Sequence, residues 1–332
     1  MQAALPRILV VGGNGFLGSA VCKAALSRGM EVTSISSSGT PFKTPKGHSP
    51  AWVSKVDWQA ADALKPETYS RLLPGVTAVV HTLGTLLEDT RYKKALSEGN
   101  VPALVGIVAS NVFGSGPSGN PLASGEGRQD SYETLNRDAA IRVCEAYVSS
   151  TPNVAVDGPR PFIYVSAEDI FRPIIPTRYI ETKREAELHI DQKVAGNPGY
   201  RAVYIRPSLI YHPHFRPLTS PVAAMLDLSA TIHRKVPPGL PTPSGFLRSL
   251  ASTFPSPPAP QSPVSTSPLE SMANALTIPP IHVDHVAEAI CIAADTRRVD
   301  VHGVVGVAEM RELIGWSQKG QAQASTHVST NV

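Results

Sequence analysis

Several things are scarce in this chain of 332 residues, and each scarcity excludes a class of protein. There are three cysteines, Cys22, Cys144 and Cys291, far apart and each in a stretch that reads as helix. No CxxC pair or even-numbered framework exists, which argues against a disulfide scaffold or a structural zinc site and fits a reducing compartment. Charged residues make up 17% of the chain, and 30 basic against 27 acidic residues leave a formal charge of +3. Such a balance lacks the basic stripe of a nucleic-acid binder. No apolar run reaches the roughly 18–20 residues of a spanning helix. The longest candidate, 101–113, is interrupted by Asn111 and reads as a buried helix. Residues 1–7 are too few for a readable targeting segment before the first strand. A soluble or at most peripheral protein is expected.

Proline is the exception, with 31 residues. That excess cannot sit inside helices or central strands, so part of the chain must be irregular. Residues 237–268 are dense in Pro and Ser and are expected to form a disordered insertion, and 115–127 a flexible loop. The polar stretch 317–332 should fray.

The remainder alternates strand and helix. Residues 8–11 form a continuous apolar run ending in glycines, as a buried parallel strand does. Helix is expected over 15–28, strand over 31–36 and 52–58, a short helix over 66–73, and strand over 76–80. A long amphipathic helix over 132–148 is followed by strand 161–166, helix 179–193 and strand 202–206, and order resumes over 278–294. This order predicts an α/β, Rossmann-type, doubly wound parallel sheet. The expected division is a nucleotide-binding domain over 1–212 and a small, partly irregular substrate or partner region over 213–316.

The run Gly12, Gly13, Asn14, Gly15, Phe16, Leu17, Gly18 supplies a GxxGxxG pattern directly after a strand and at the opening of a helix. Gly12 permits the tight turn, and Gly15 lets backbone approach a pyrophosphate. Gly18 lets the helix pack on the strand, while the helix N-terminus offers free N–H groups. A site for NAD usually has an acid about 20 residues on, at the end of the second strand. Here that strand ends in Ser36, Ser37 and Ser38. Loss of the carboxylate modestly favours NADP over NAD, and these serines could donate to a 2′-phosphate. Asp62 reads either as an acceptor for the adenine amino group or as a helix N-cap.

Tyr179 and Lys183 stand at i and i+4 on one helix face, thirteen residues after Ser166 at the end of a strand. A free phenol is a poor base at neutral pH, and a nearby ammonium favours the phenolate. Ser166 would then hydrogen-bond the reacting carbonyl or hydroxyl. His212 and His214 have too few ligands nearby for a metal site and read as a loop beside the cofactor; His282, Asp284 and His285 sit at a helix start, where Asp284 is expected to orient a loop by hydrogen bonds; and the basic run 91–94 reads as a solvated face. The cysteines read as small core residues.

Gly12 to Gly18, Ser166, Tyr179 and Lys183 together resemble the short-chain dehydrogenase/reductase superfamily, in its extended or atypical branch. The turn His81, Thr82, Leu83, Gly84 resembles that family's cofactor-facing turn, which adds Thr82 and Gly84 to the cofactor set. The stretches 206–211 and 281–286 resemble its later signatures. Within the branch, 8–18, 164–167 and 179–186 are similar to the fungal mitochondrial proteins of the coenzyme Q biosynthetic complex, relatives of the NADPH-carrying accessory subunit of respiratory complex I. The resemblance implies a matrix-side, inner-membrane-associated role in ubiquinone synthesis, with a quinoid or lipid-like substrate; a cytoplasmic location is the alternative. Three functions follow: an NAD(P)-dependent oxidoreductase, a non-catalytic NADPH-binding component of a membrane-associated complex, or a sugar-nucleotide epimerase or dehydratase. The last needs a basic preformed pocket, against which the irregular insertion speaks.

Overall fold

Seven strands run in one direction and are joined by crossovers on both faces, because the central strands are too apolar to leave either face in water. In chain order they are β1 (Arg7–Val11), β2 (Glu31–Ser36), β3 (Asp57–Ala60), β4 (Ala78–His81), β5 (Arg160–Val165), β6 (Tyr200–Ile205) and, after a two-residue pair β7 (Ile210–Tyr211) and β8 (Ile281–His282), β9 (Gly303–Val305). The sheet order is β3-β2-β1-β4-β5-β6-β9, parallel throughout. The order reverses between β1 and β4, the place where doubly wound sheets open a crevice at the C-terminal ends of their strands. This computed structural model describes residues 6–84, 132–215, 219–237, 240–253 and 266–316. The readings at 91–94, 101–113, 115–127 and 317–332 lie outside them.

The helices are α1 (Phe16–Ser27), α2 (Ala139–Ser149, entered through a π-helical turn Glu133–Asp138), α3 (Thr177–Val194), α4 (Thr219–Lys235), α5 (Pro243–Thr253), α6 (Pro268–Thr277), α7 (Val283–Ala293) and α8 (Val307–Leu313). One core packs α1 and α7 on the face carrying Ile8, Val10, Val80 and Val203. The other packs α2 and α3 on the face of Leu9, Val79, Phe162 and Tyr204. Cys22, Cys144 and Cys291 are fully buried and free. Desolvation pushes the Cys144 and Cys291 thiols up to about 12, so all three act as core side chains, as expected.

Four expectations are corrected. The strand expected over 52–58 is a 3₁₀ turn, Ala51–Lys55, followed by β3. There the Trp58 indole donates to the Val53 carbonyl at 2.9 Å and Trp52 stacks on Phe42, so tertiary contacts use the apolar alternation instead of a ladder. The helix expected over 66–73 is two 3₁₀ turns, Pro66–Thr68 and Ser70–Gly75. Inside the Pro/Ser-rich stretch expected to be irregular, 243–253 is the helix α5, packed on α6. Pro243 sits in its first position, where a missing N–H costs nothing; residues 254–265 lie outside the description. Finally, the sheet does not end at residue 212: β9 pairs with β6 and α7 packs on α1, so the nucleotide-fold layer draws on residues up to 313.

Candidate functional site

The glycine turn is built by close approaches that exclude side chains. Gly12 has φ +88°, a left-handed conformation. A Cβ on Gly18 would lie 2.2 Å from the Gly12 carbonyl oxygen, so only glycine lets α1 start this near the turn. Gly15 differs. It is exposed, its Cβ would meet only the Gly12 oxygen at 3.2 Å, and its free side faces open space. Gly15 is also the N-cap of α1, whose first turn has no side-chain cap and no acidic residue. An uncapped helix N-terminus with no acid in its first turn, beneath an open glycine, fits a pyrophosphate. Leu17 is buried in the core, Phe16 half-buried beside it, and the Asn14 amide donates to the Thr40 carbonyl at 3.4 Å, tying this turn to the loop after β2.

The adenosine-side candidates have structural duties. Ser36 Oγ accepts from the Gly39 amide at 3.1 Å, closing the turn after β2, while Ser37 is exposed. Asp62 Oδ1 accepts from the Leu64 amide at 3.0 Å, an Asx turn, and Oδ2 lies 3.6 Å from Lys65; it is not the expected helix N-cap, since the Pro66–Thr68 turn has Lys65 at that position and no side-chain cap. The Ala61 amide bonds the Ser36 carbonyl, so Ser36 and Asp62 flank one end of the crevice.

From the glycine turn a continuous path leads to α3. Thr82 Oγ1 donates to the Val11 carbonyl at 2.8 Å and to that of Gly12 at 3.3 Å. A Cβ on Gly84 would lie 2.9 Å from Lys183 Nζ and 3.1 Å from Asn136 Oδ1. Gly84 therefore provides the gap that lets the lysine reach the β4 turn. Lys183 is buried, donates to the Val165 carbonyl at 2.8 Å and lies 4.7 Å from the Tyr164 ring centroid. Desolvation lowers its pKa to about 7 against the opposing pull of Glu187. Tyr179, one turn earlier on α3, is half-buried with its ring edge on Tyr132 at 6.1 Å.

Ser166 is not turned toward this path. Its hydroxyl donates to Glu187 and accepts from Arg184 at 3.0 Å. Glu187, buried on α3, is bound from the other side by Arg206 through Nε at 3.0 Å and through Nη2. Sequence reasoning treated Arg206 only as part of a later signature and did not pair it with Glu187. Asn136 carries no signal in the sequence, and His81 is legible there only as part of the turn 81–84. Asn136, fully buried in the π-helical turn, donates to Thr182 Oγ1 at 3.5 Å, and its side chain borders Gly84 as Lys183 does. His81 is fully buried with neither ring nitrogen hydrogen-bonded among the described residues, and burial holds its pKa down to about 3. Its position at a strand end, followed by a polar turn and a glycine, was the only available signal.

Beyond this network a cavity of about 710 Å³ opens between the sheet end and the helices of 219–316, with Glu168, Asp227, Arg234, Pro279, Arg311 and Trp316 on its walls. Burial raises the Glu168 pKa against the pull of Arg184 and Arg206. Among the described residues no helix is long and apolar enough to cross a membrane, and no cluster of His, Cys, Asp or Glu could hold a metal. His212 Nδ1 and His282 Nδ1 are occupied as acceptors of backbone amides.

Comparison with known proteins agrees with this fold. The profile of the NAD dependent epimerase/dehydratase family matches residues 8–121. MIOREX complex component 2 of Saccharomyces cerevisiae is 35% identical over 215 residues, 63% of this chain and 74% of the yeast protein. A 2-alkyl-3-oxoalkanoate reductase of Stenotrophomonas maltophilia is 25% identical over 62% of this chain and 52% of its own length. Among solved structures, the 3-oxoacyl-[acyl-carrier protein] reductase of Brucella melitensis in complex with NAD superposes with a TM-score of 0.51. It covers 94% of this chain and 99% of that one at 12% identity, a likeness of fold alone. With its glycine turn, its parallel sheet and its yeast relative, the chain belongs to the NAD dependent epimerase/dehydratase family of short-chain dehydrogenase/reductase proteins.

Proposed function

We propose that this chain binds a nicotinamide dinucleotide and acts as an oxidoreductase in ubiquinone biosynthesis, on the matrix side of the mitochondrial inner membrane. The observation that carries the site is the unbroken path from the glycine turn through Thr82 and Gly84 to buried Lys183, with Tyr179 one turn away on the same helix. Gly12, Asn14, Gly15, Phe16, Leu17 and Gly18 hold the diphosphate through backbone amides. Ser36, Ser37 and Asp62 lie at the adenosine end, and Thr82, Gly84 and Lys183 at the nicotinamide end. A bound nicotinamide supplies or accepts hydride. Tyr179 delivers the proton to the carbonyl oxygen and Lys183 favours its phenolate. The region after residue 212, with its cavity, receives the quinoid or lipid-like substrate. NADP is modestly preferred, because no acid ends β2. The mitochondrial and pathway assignments draw on the resemblance and on the name of the yeast relative, a complex component.

One observation favours a second reading. Ser166, the residue expected to meet the reacting carbonyl, spends its hydroxyl on Glu187 and Arg184. A non-catalytic NADPH-binding component of an inner-membrane complex needs the nucleotide cradle but not that hydroxyl, and bound nucleotide alone stabilises such a fold by a few kcal/mol. Tyr179→Phe separates the two. Loss of quinone production in cells with nucleotide binding retained supports hydride chemistry, whereas wild-type quinone levels reject it and leave the structural role. Identification of the co-purifying nucleotide decides between NAD and NADP.

A further inference from the structure

We propose that α4 is a lipid-docking element whose outward face seats the protein on an anionic bilayer surface. The helix is packed inside out. Against the rest of the fold it buries small residues, Thr219, Ala223 and Ala230. Of its large apolar side chains only Leu226 is half-buried; Val222, Met225, Leu228 and Ile232 are 47%, 74%, 61% and 52% exposed. At about 100° per residue those four fall within an arc of roughly 120°, on the side away from Ala223 and Ala230. They form a stripe about 15 Å long. Single exposed apolar side chains are ordinary, but a continuous stripe marks an interaction surface.

Charge identifies the occupant. The helix ends in His233, Arg234 and Lys235, and Lys235 falls about 20° from Leu228 around the helix axis, at the edge of the stripe. The one acid of α4, Asp227, faces Arg311 at 3.8 Å. From Val236 to Leu269 the only charged residue is Arg248. Over 213–268, Arg216, Arg234, Lys235 and Arg248 stand against Asp227 alone, a net charge of +3 that equals the formal charge of the whole chain. An apolar stripe with a cation at its edge, in a segment of net positive charge, is the composition of an interfacial helix. A second copy would oppose one cationic face with another, and a folded partner would call for hydrogen-bonding groups around the stripe. This reading does not rest on the cofactor site.

The test mixes the full chain with vesicles of phosphatidylcholine, alone or with about one third phosphatidylserine, and reads the pelleted fraction across salt. Wild type is expected on the anionic vesicles and to leave them as salt rises. Lys235→Gln should weaken partitioning about 5-fold. Met225→Glu with Leu228→Glu should weaken it at least about 100-fold while thermal unfolding stays at the wild-type temperature. Because that double variant could misfold, Met225→Cys carrying an environment-sensitive dye gives an independent readout, a blue shift on anionic vesicles. Absence of binding by wild type, equal binding to both vesicles, an unshifted dye, or a wild-type dimer that the double variant splits in light scattering would each overturn the proposal.

Discussion

Replacing Lys183 by methionine should make the protein more stable at neutral pH, and by an amount that depends on pH in a defined direction. The ammonium is buried, with one hydrogen bond to the Val165 carbonyl and the Tyr164 ring beside it. Desolvation brings its pKa from 10.5 to about 7. Folding at pH 7 therefore carries a penalty of roughly 4 kcal/mol relative to a neutral side chain. Methionine keeps the length and the apolar contacts, and loses a hydrogen bond worth about 1 kcal/mol and a comparable cation–π attraction. A net gain of roughly 2–3 kcal/mol remains. Between pH 7 and 10.5 the unfolded chain holds a proton that the folded chain has released, so wild-type stability climbs with pH there, by at most about 1.4 kcal/mol per pH unit. Methionine has no such dependence, and the gap between the two proteins should shrink by about 2 kcal/mol from pH 7 to pH 9. Urea unfolding of both proteins at pH 7, 8 and 9 measures this directly. A variant less stable than wild type at pH 7, or a gap that stays constant to pH 9, refutes the argument. The same substitution should abolish any hydride transfer, so stability and activity would move in opposite directions.

Two glycines should fail differently. Gly15→Asp places a carboxylate at the N-terminus of α1, where the diphosphate would sit, and should remove the thermal shift produced by nicotinamide nucleotide while leaving the unliganded melting temperature near wild type. Gly18→Ala drives a Cβ to 2.2 Å from a backbone oxygen and should lower that temperature itself. Equal behaviour of the two in a nucleotide-titrated melt would reject the placement of the phosphate loop. Asp169→Ala strands buried Arg172, which Asp169 binds through Nε at 2.7 Å, and should cost about 3–5 kcal/mol in urea unfolding. An unchanged midpoint would show the pair to be idle. His81, held at a pKa of about 3, stays neutral in the fold while its unfolded counterpart takes a proton near pH 6.5. Its contribution is thus complete above pH 6.5 and lost as pH falls toward 3, and His81→Leu should flatten that limb of the stability curve. An unaltered acid limb would contradict the assignment.

The Gly12 to Gly18 turn, the parallel strands around it and the Tyr179/Lys183 pair were legible in the sequence because each is a local pattern, namely a glycine spacing, an apolar run or a helical repeat. The helix α5 was hidden because proline density signals irregularity unless each proline can be placed, and Pro243 falls at the one helical position that tolerates it. Strand β9, three residues long, carries too little pattern to read, and only its ladder with β6 makes it a strand.

Sequence by itself thus determined the fold class, since backbone geometry and periodicity are properties of neighbouring residues. Tertiary structure alone decided what the groups along the crevice are bonded to. Ser166 meets Glu187, Lys183 is dehydrated beside Gly84 and Asn136, and α4 turns large side chains to solvent. Hydrogen-bond partners, burial and the resulting proton affinities depend on atoms brought together from distant positions, and no spacing along the chain encodes them.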